Sequence, residues 1–216
     1  MDSSTLKPIM LDAARAGSIP AGTAGRWSVT KFLLEKPLQV TFKEKLRTIP
    51  PGHYTQLFCL TEETMHQPPG EIVMHDREDE LLTHLDFMLR ARGRVLVTGL
   101  GLGCVVRGLL VNPQVEHITV LERDPYVMRL VAPHMIQTPR LEIIETCAFT
   151  WLHETSQEFD CAWHDVWNDE HRGDPHLHVM HSDLLQASFS RVKFQGAWQF
   201  PRYLRRLAHR TGRDIL

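Results

Sequence analysis

The segment Arg94-Val-Leu-Val-Thr-Gly-Leu-Gly-Leu-Gly-Cys104, followed by His117-Ile-Thr-Val-Leu-Glu-Arg-Asp-Pro125, constrains the fold more than any other part of the chain. An apolar run, Val95 to Val97, ends in glycines at three alternate positions, Gly99, Gly101 and Gly103. A helix-compatible stretch follows. A second apolar run then closes on an acid, Glu122, 19 positions after Gly103. Glycines allow a tight turn and a close approach of backbone to ligand, and an acid ending the next strand accepts hydrogen bonds from ribose hydroxyls. The layout is that of a nucleotide-binding βαβ unit.

The rest of the second half repeats the alternation. Strands are expected at Arg94–Thr98, His117–Glu122, Leu141–Glu145, Asp160–His164 and Arg191–Gln195. Helices are expected at Asp79–Arg90, Leu102–Leu110, from Pro125 to about Ala132, Ala148–Glu154, Leu177–Ala187 and Arg202–Arg210. Such βαβα order implies a parallel sheet with helices on both faces. Ahead of it, Leu38–Phe42, Tyr54–Leu60 and Glu71–Met74 read as strands, punctuated by Pro50-Pro51-Gly52 and Pro68-Pro69-Gly70. The expected organisation is a loosely structured leader over 1–25, a β appendage (a hairpin or three strands) over 26–78, and a nucleotide-binding domain over 79–216.

Composition narrows the function classes. A net charge of −2 gives no global pull toward nucleic acid or an anionic membrane. No apolar run approaches the roughly 20 residues needed to span a bilayer, and the N-terminus lacks a basic-then-apolar signal layout. The four cysteines show no CxxC spacing, which fits reduced thiols and a cytoplasmic protein.

Which nucleotide the loop holds turns on the third glycine. A dinucleotide site of the form G-x-G-x-x-G would place it at 104, which is Cys. G-x-G-x-G with an acid after the second strand is the pattern of S-adenosylmethionine-binding α/β domains. A dinucleotide and a degenerate pocket remain the alternatives.

Five segments, in order, resemble spermidine synthases and their methyltransferase-like relatives. They are Glu71-Ile-Val-Met-His-Asp76, Asp79-Glu-Leu-Leu-Thr-His84, Val95–Gly103, Val120-Leu-Glu-Arg-Asp-Pro125 and Phe159-Asp-Cys-Ala-Trp-His-Asp165. Trp163-His-Asp-Val-Trp167 and Phe194-Gln-Gly-Ala-Trp198 are similar to a group of bacterial and phage proteins described as class I methyltransferases. The resemblance spans roughly Tyr54 to Asp165. It implies a Rossmann-like class I methyltransferase fold with a small N-terminal β appendage and S-adenosylmethionine as cofactor. Glu122 would be the ribose ligand, and Gly99, Gly101 and Gly103 the cofactor loop. Leu100, Arg123, Cys147, Ala148 and Phe149 would complete the cofactor contacts.

The departures are specific. The loop acid that holds the cofactor's tail amino group in aminopropyltransferases is Leu102 here, and the acid that usually accepts from adenine N6 is Cys147. Of the Asp-Ser-Ser-Asp catalytic segment only Asp165 survives, and the Tyr-His-Glu of the polyamine pocket reads Thr83-His84-Leu85. A dicationic amine needs several carboxylates or aromatic faces to replace its hydration, so polyamine synthesis is disfavoured.

In open α/β sheets ligands lie beyond the carboxyl ends of the strands, where Glu122, Thr146–Phe149 and His164-Asp165 fall. Asp165 is the expected catalytic base and His164 a second candidate, unless alternation turns His164 under a helix. Trp167, Asp169 and His84 are the expected substrate contacts, while Trp163 fits core packing. The histidines at 171, 176, 178 and 181, with Asp165 and Asp169, raise a metal site, but their spacing suits a polar surface segment better, and no metal is expected. The arginines from Arg202 to Arg213 suit a solvated helix face or subunit interface better than nucleic acid. The expected activity is methyl transfer to a small molecule; the sheet is expected to be short, either truncated or completed at its edge by a partner such as a second copy in a homodimer. The alternatives are a non-catalytic nucleoside- or partner-binding protein that keeps the fold, and an aminopropyltransferase.

Overall fold

A computed structural model of the 216-residue chain describes residues 2–60, 71–166, 183–184, 187–188, 191–197 and 214–215. The glycine-loop half forms a six-stranded sheet from β7 (Gly93–Thr98), β8 (Val115–Glu122), β9 (Leu141–Glu145), β10 (Phe159–His164), β11 (Val192–Ala197) and β12 (Asp214–Ile215). The spatial order is β12-β11-β10-β7-β8-β9, with every pair parallel. Counted from β7, this is the 3-2-1-4-5-6 order of the Rossmann-like doubly wound fold. The order reverses between β7 and β10, which opens a crevice at their carboxyl ends. Val95, Leu96, Val97, Ile118, Val120 and Leu121 are buried on both faces, as a parallel sheet covered on both sides requires.

Helix α2 (Glu78–Arg90) presents Leu81, Leu82, Leu85, Phe87 and Met88 to the core and carries three acids in its first turn, where the helix dipole favours them. Helices α3 (Cys104–Leu110), α4 (Pro125–Val131) and α5 (Ala148–Glu154) follow β7, β8 and β9. Helix α4 starts as its sequence demands: Asp124 caps the N–H groups of Tyr126 and Val127, and Pro125 occupies the first turn.

Two expectations are corrected. The leader is not loose: helix α1 (Ser3–Ala13), capped by Asp2 on Thr5 N–H at 2.9 Å, packs Leu6 and Met10 against α2 and α3. Beyond it Ala14, Ala16 and Ile19 are fully buried. Pro8, Gly17 and Pro20 read as breakers, and only a short apolar stripe marks the helix. What fixes this segment is Asp76, 60 positions away, whose buried carboxylate accepts the N–H of Ala16 at 2.9 Å and that of Thr55 at 2.7 Å.

The appendage is also larger than a hairpin or three strands. It is a four-stranded antiparallel sheet, β1 (Gly22–Ala24), β2 (Trp27–Leu34), β5 (Gly52–Cys59) and β6 (Glu71–His75), plus a separate hairpin of β3 (Leu38–Phe42) and β4 (Lys45–Ile49). Its first strand begins at Gly22, inside the expected leader. It is pinned to the six-stranded half where Trp27 Nε1–H donates to Asp124 at 2.6 Å. Among the described residues no antiparallel strand joins the large sheet, and no helix is long and apolar enough to cross a membrane. The expected Arg202–Arg210 helix lies outside the described residues, as does most of Leu177–Ala187.

Candidate nucleoside site at the strand ends

Because β10, β7 and β8 are neighbours, their carboxyl ends bring Asp165, the glycine loop and Glu122 side by side. Backbone bonds continue the ladder past the strand ends: Asp165 N–H to Thr98 O at 2.9 Å, Gly99 N–H to Leu121 O at 2.8 Å and Thr146 N–H to Glu122 O at 2.8 Å. Gly99 has φ +90°, and a Cβ there would run into the backbone carbonyl of Asp165. A side chain at that position would separate the loop from the base candidate.

Glu122 is almost fully buried. One carboxylate oxygen accepts Leu100 N–H at 2.8 Å and the other accepts Asp124 N–H at 2.8 Å. Burial raises its pKa, and these N–H donors partly oppose the shift. A carboxylate has about four acceptor positions, so capacity for two hydroxyl donors remains.

The cleft beside the loop is lined by Val73, Met74, Glu80, Leu100, Gly101 and Asp165, with Trp163 behind, and is narrow, about 50 Å³. Glu80 is held by His75, whose backbone N–H and Nδ1 both lie 2.9 Å from the same Glu80 oxygen. Asp165 is half-buried, and its carboxyl is pushed well above the usual carboxylate range. Desolvation is the main cause, and the like charges of Glu80 and Glu122 add to it. The Trp163 indole acts in the opposite sense.

The remaining expected residues fall differently. Gly103 does not line the cleft; it caps the start of α3 at φ +72° against Met135. Arg123 is exposed, and Cys147 is half-buried at the start of α5. Burial raises the Cys147 thiol pKa, but hydrogen bonds from Thr150 and Phe149 and the charge of Arg123 bring it below its ordinary value. Ala148 is buried and Phe149 packs beside it in the second core. These four lie at the β8 and β9 ends, beside the narrow cleft rather than lining it.

His164 is corrected as a base candidate: it faces the other side of the sheet and is wholly buried. Its Nδ1 lies 3.1 Å from Thr98 Oγ1 and its Nε2 3.1 Å from Gln195 Oε1, which also accepts Ser188 Oγ–H at 2.6 Å. Gln195 Oε1 can only accept, so Nε2 carries the proton and Nδ1 accepts from Thr98. Burial holds the His164 pKa at about 4, against a smaller opposing effect of Gln195.

His84 is likewise corrected as a substrate contact. It is fully buried on α2, edge-on to Trp163 with ring centroids 5.4 Å apart, and burial lowers its pKa to about 3. Leu102 is also fully buried, its side chain part of the main core. Trp163 packs on His84 and Phe87 as well as backing the cleft. Trp167, Asp169, Trp198 and the histidines 171–181 lie outside the described residues. Sequence reasoning missed Glu80 and Met74. The acidic pair Asp79-Glu80 opening α2 was a usable signal, whereas Met74 looks like any apolar strand residue.

No protein-family model matches the chain. It is similar to the polyamine aminopropyltransferase 2 of Ralstonia nicotianae, 34% identical over 83 residues, a match covering 34% of this chain and 16% of the relative. The match thus takes in less than a fifth of that curated relative's length. Among solved structures it is similar to spermidine synthase from Thermotoga maritima (18% identity, TM-score 0.41, covering 73% of this chain and 53% of the other). It is also similar to the N-methyltransferase NodS from Bradyrhizobium japonicum (13% identity, TM-score 0.41, covering 52% and 60%).

Proposed function

We propose that this chain is an S-adenosylmethionine-dependent transferase that methylates a small amine. The observation that carries the reading is the convergence of Glu122, the glycine loop and Asp165 on three adjacent parallel strand ends. The residues suit the cofactor: a buried carboxylate, each oxygen already fixed by one backbone N–H, retains acceptor capacity for the two ribose hydroxyls. When bound, the cofactor supplies a methyl group on a positively charged sulfur. Asp165, with its raised pKa, accepts the proton that the acceptor nitrogen sheds as it is alkylated. Glu80 and Asp165, both lining the cleft, attract a cationic acceptor and disfavour an acidic one.

Aminopropyl transfer is the second reading, favoured by the similarity to a polyamine aminopropyltransferase. Against it stands Leu102, whose side chain is committed to the core, so that loop position offers no acid to the amino group of a decarboxylated cofactor tail. The test is incubation with S-adenosylmethionine or its decarboxylated form and a panel of small amines, with by-products quantified by mass spectrometry. Adenosylhomocysteine formation that Asp165→Asn abolishes supports methyl transfer. Methylthioadenosine from the decarboxylated form alone supports the second reading. Tight adenosylhomocysteine binding without turnover leaves a non-catalytic nucleoside-binding protein, and no binding of any nucleoside overturns the site.

A further inference from the structure

We infer that Met74 is a displaceable stopper over the glycine loop and sets how well the site accepts a nucleoside bearing a long sulfur-linked tail; the inference rests on the nucleoside reading above. Strand β6 of the appendage delivers Met74 across the loop. Its Sδ accepts the backbone N–H of Leu102 at 2.9 Å, and a Cβ on Gly101 would lie 2.5 Å from the same sulfur. The loop glycine that would let a ligand close to the backbone is thus covered by a side chain of this chain.

Sheet order makes that placement matter. Glu122 ends β8, Asp165 directly follows β10, and β7 with its loop lies between the two strands. A nucleoside anchored by its ribose at Glu122 and reaching toward Asp165 has to cross the loop beneath Met74. The open volume there, about 50 Å³, holds a few waters, whereas pockets for ligands of drug size run to about 300–1,000 Å³. A thioether is a weak acceptor on a side chain with three rotatable bonds, so the contact closes the loop without locking it. The adenosine end of the ligand avoids the obstruction, and the tail meets it.

The test is calorimetric binding of adenosine and adenosylhomocysteine to the wild type and to Met74→Ala. The expected result is a gain of at least tenfold for adenosylhomocysteine, with adenosine changed by less than about threefold. Equal gains for both ligands, or none, would overturn the inference and leave the nucleoside site intact. Absence of binding by either ligand to either protein overturns the nucleoside reading and this inference together. Should Met74→Ala fold poorly, methionine-methyl NMR on the wild type decides. The Met74 signal, assigned as the one missing from Met74→Leu, shifts on adding adenosylhomocysteine and stays in place with adenosine. A signal that both ligands leave unmoved sinks the inference.

Discussion

Asp165 and His164 are consecutive in the chain, yet they belong to two regions that use burial for different ends. Asp165 and Glu80 line the cleft, Glu122 lies close enough for its charge to act on Asp165, and desolvation raises the pKa of Asp165 and Glu122. Behind the sheet, His164 is desolvated too, but Thr98 and Gln195 satisfy both ring nitrogens. A raised carboxyl pKa in a crevice lined by like charges suits the proposed role of Asp165 as proton acceptor. The same perturbation inside a satisfied polar layer mainly makes folding depend on pH.

The sharpest break of this comparison is Asp165→Asn. Turnover, read as adenosylhomocysteine release, is expected to fall by about 10²–10⁴-fold, with nucleoside affinity nearly unchanged. Thermal stability should hold or rise, because a carboxylate with a raised pKa is a destabilising charge at neutral pH. A clear loss of stability without loss of turnover would move Asp165 into the structural region.

Acid titration probes the other side. His84 and His164 have folded pKa values of about 3 and about 4, below the ordinary value of 6.5. The unfolded chain therefore binds more protons below pH 6.5, and stability falls as pH drops from there toward 4. Urea unfolding across that range should show uptake of about two protons from this pair. His84→Leu should remove about one of them, and an unchanged slope would show that the ring is not shielded from protonation.

Glu122→Ala should weaken adenosylhomocysteine binding by more than tenfold in calorimetry, since it removes the acceptor proposed for the ribose. Equal affinity would place the nucleoside elsewhere. The smallest effect belongs to Thr98→Val, which takes the hydrogen bond from His164 Nδ1. It should lower stability by about 1–2 kcal/mol in denaturant melts and leave nucleoside affinity within about twofold.

Much of this arrangement was legible locally. The strands at 94–98, 117–122 and 141–145 announce themselves because apolar runs end in glycines or an acid, and Asp124-Pro125 marks the start of α4. Alternation along β10 already separated His164 from Asp165, since neighbouring strand residues face opposite sides. What stayed illegible depends on distant partners. Helix α1 is short, contains Pro8, and is held by packing on α2 and α3, while Asp76 secures the segment after it. Leu102 reads as a lost ligand until its burial shows a core residue. His84 sits in a segment similar to a polyamine pocket, but α2 turns it onto Trp163.

The sequence by itself determined the parallel Rossmann-like sheet, the turn at Gly99–Gly103, and the placing of Glu122 and Asp165 at strand ends, because each rests on a period or spacing within some 30 residues. Only the tertiary structure decided that Glu80 joins those acids, that Met74 covers the loop, and that His164 and His84 are sealed in the interior. For Glu80, Met74 and His84 those outcomes depend on how the appendage and α2 pack near the strand ends, and for His164 on Gln195 and Ser188, all residues far apart in the chain.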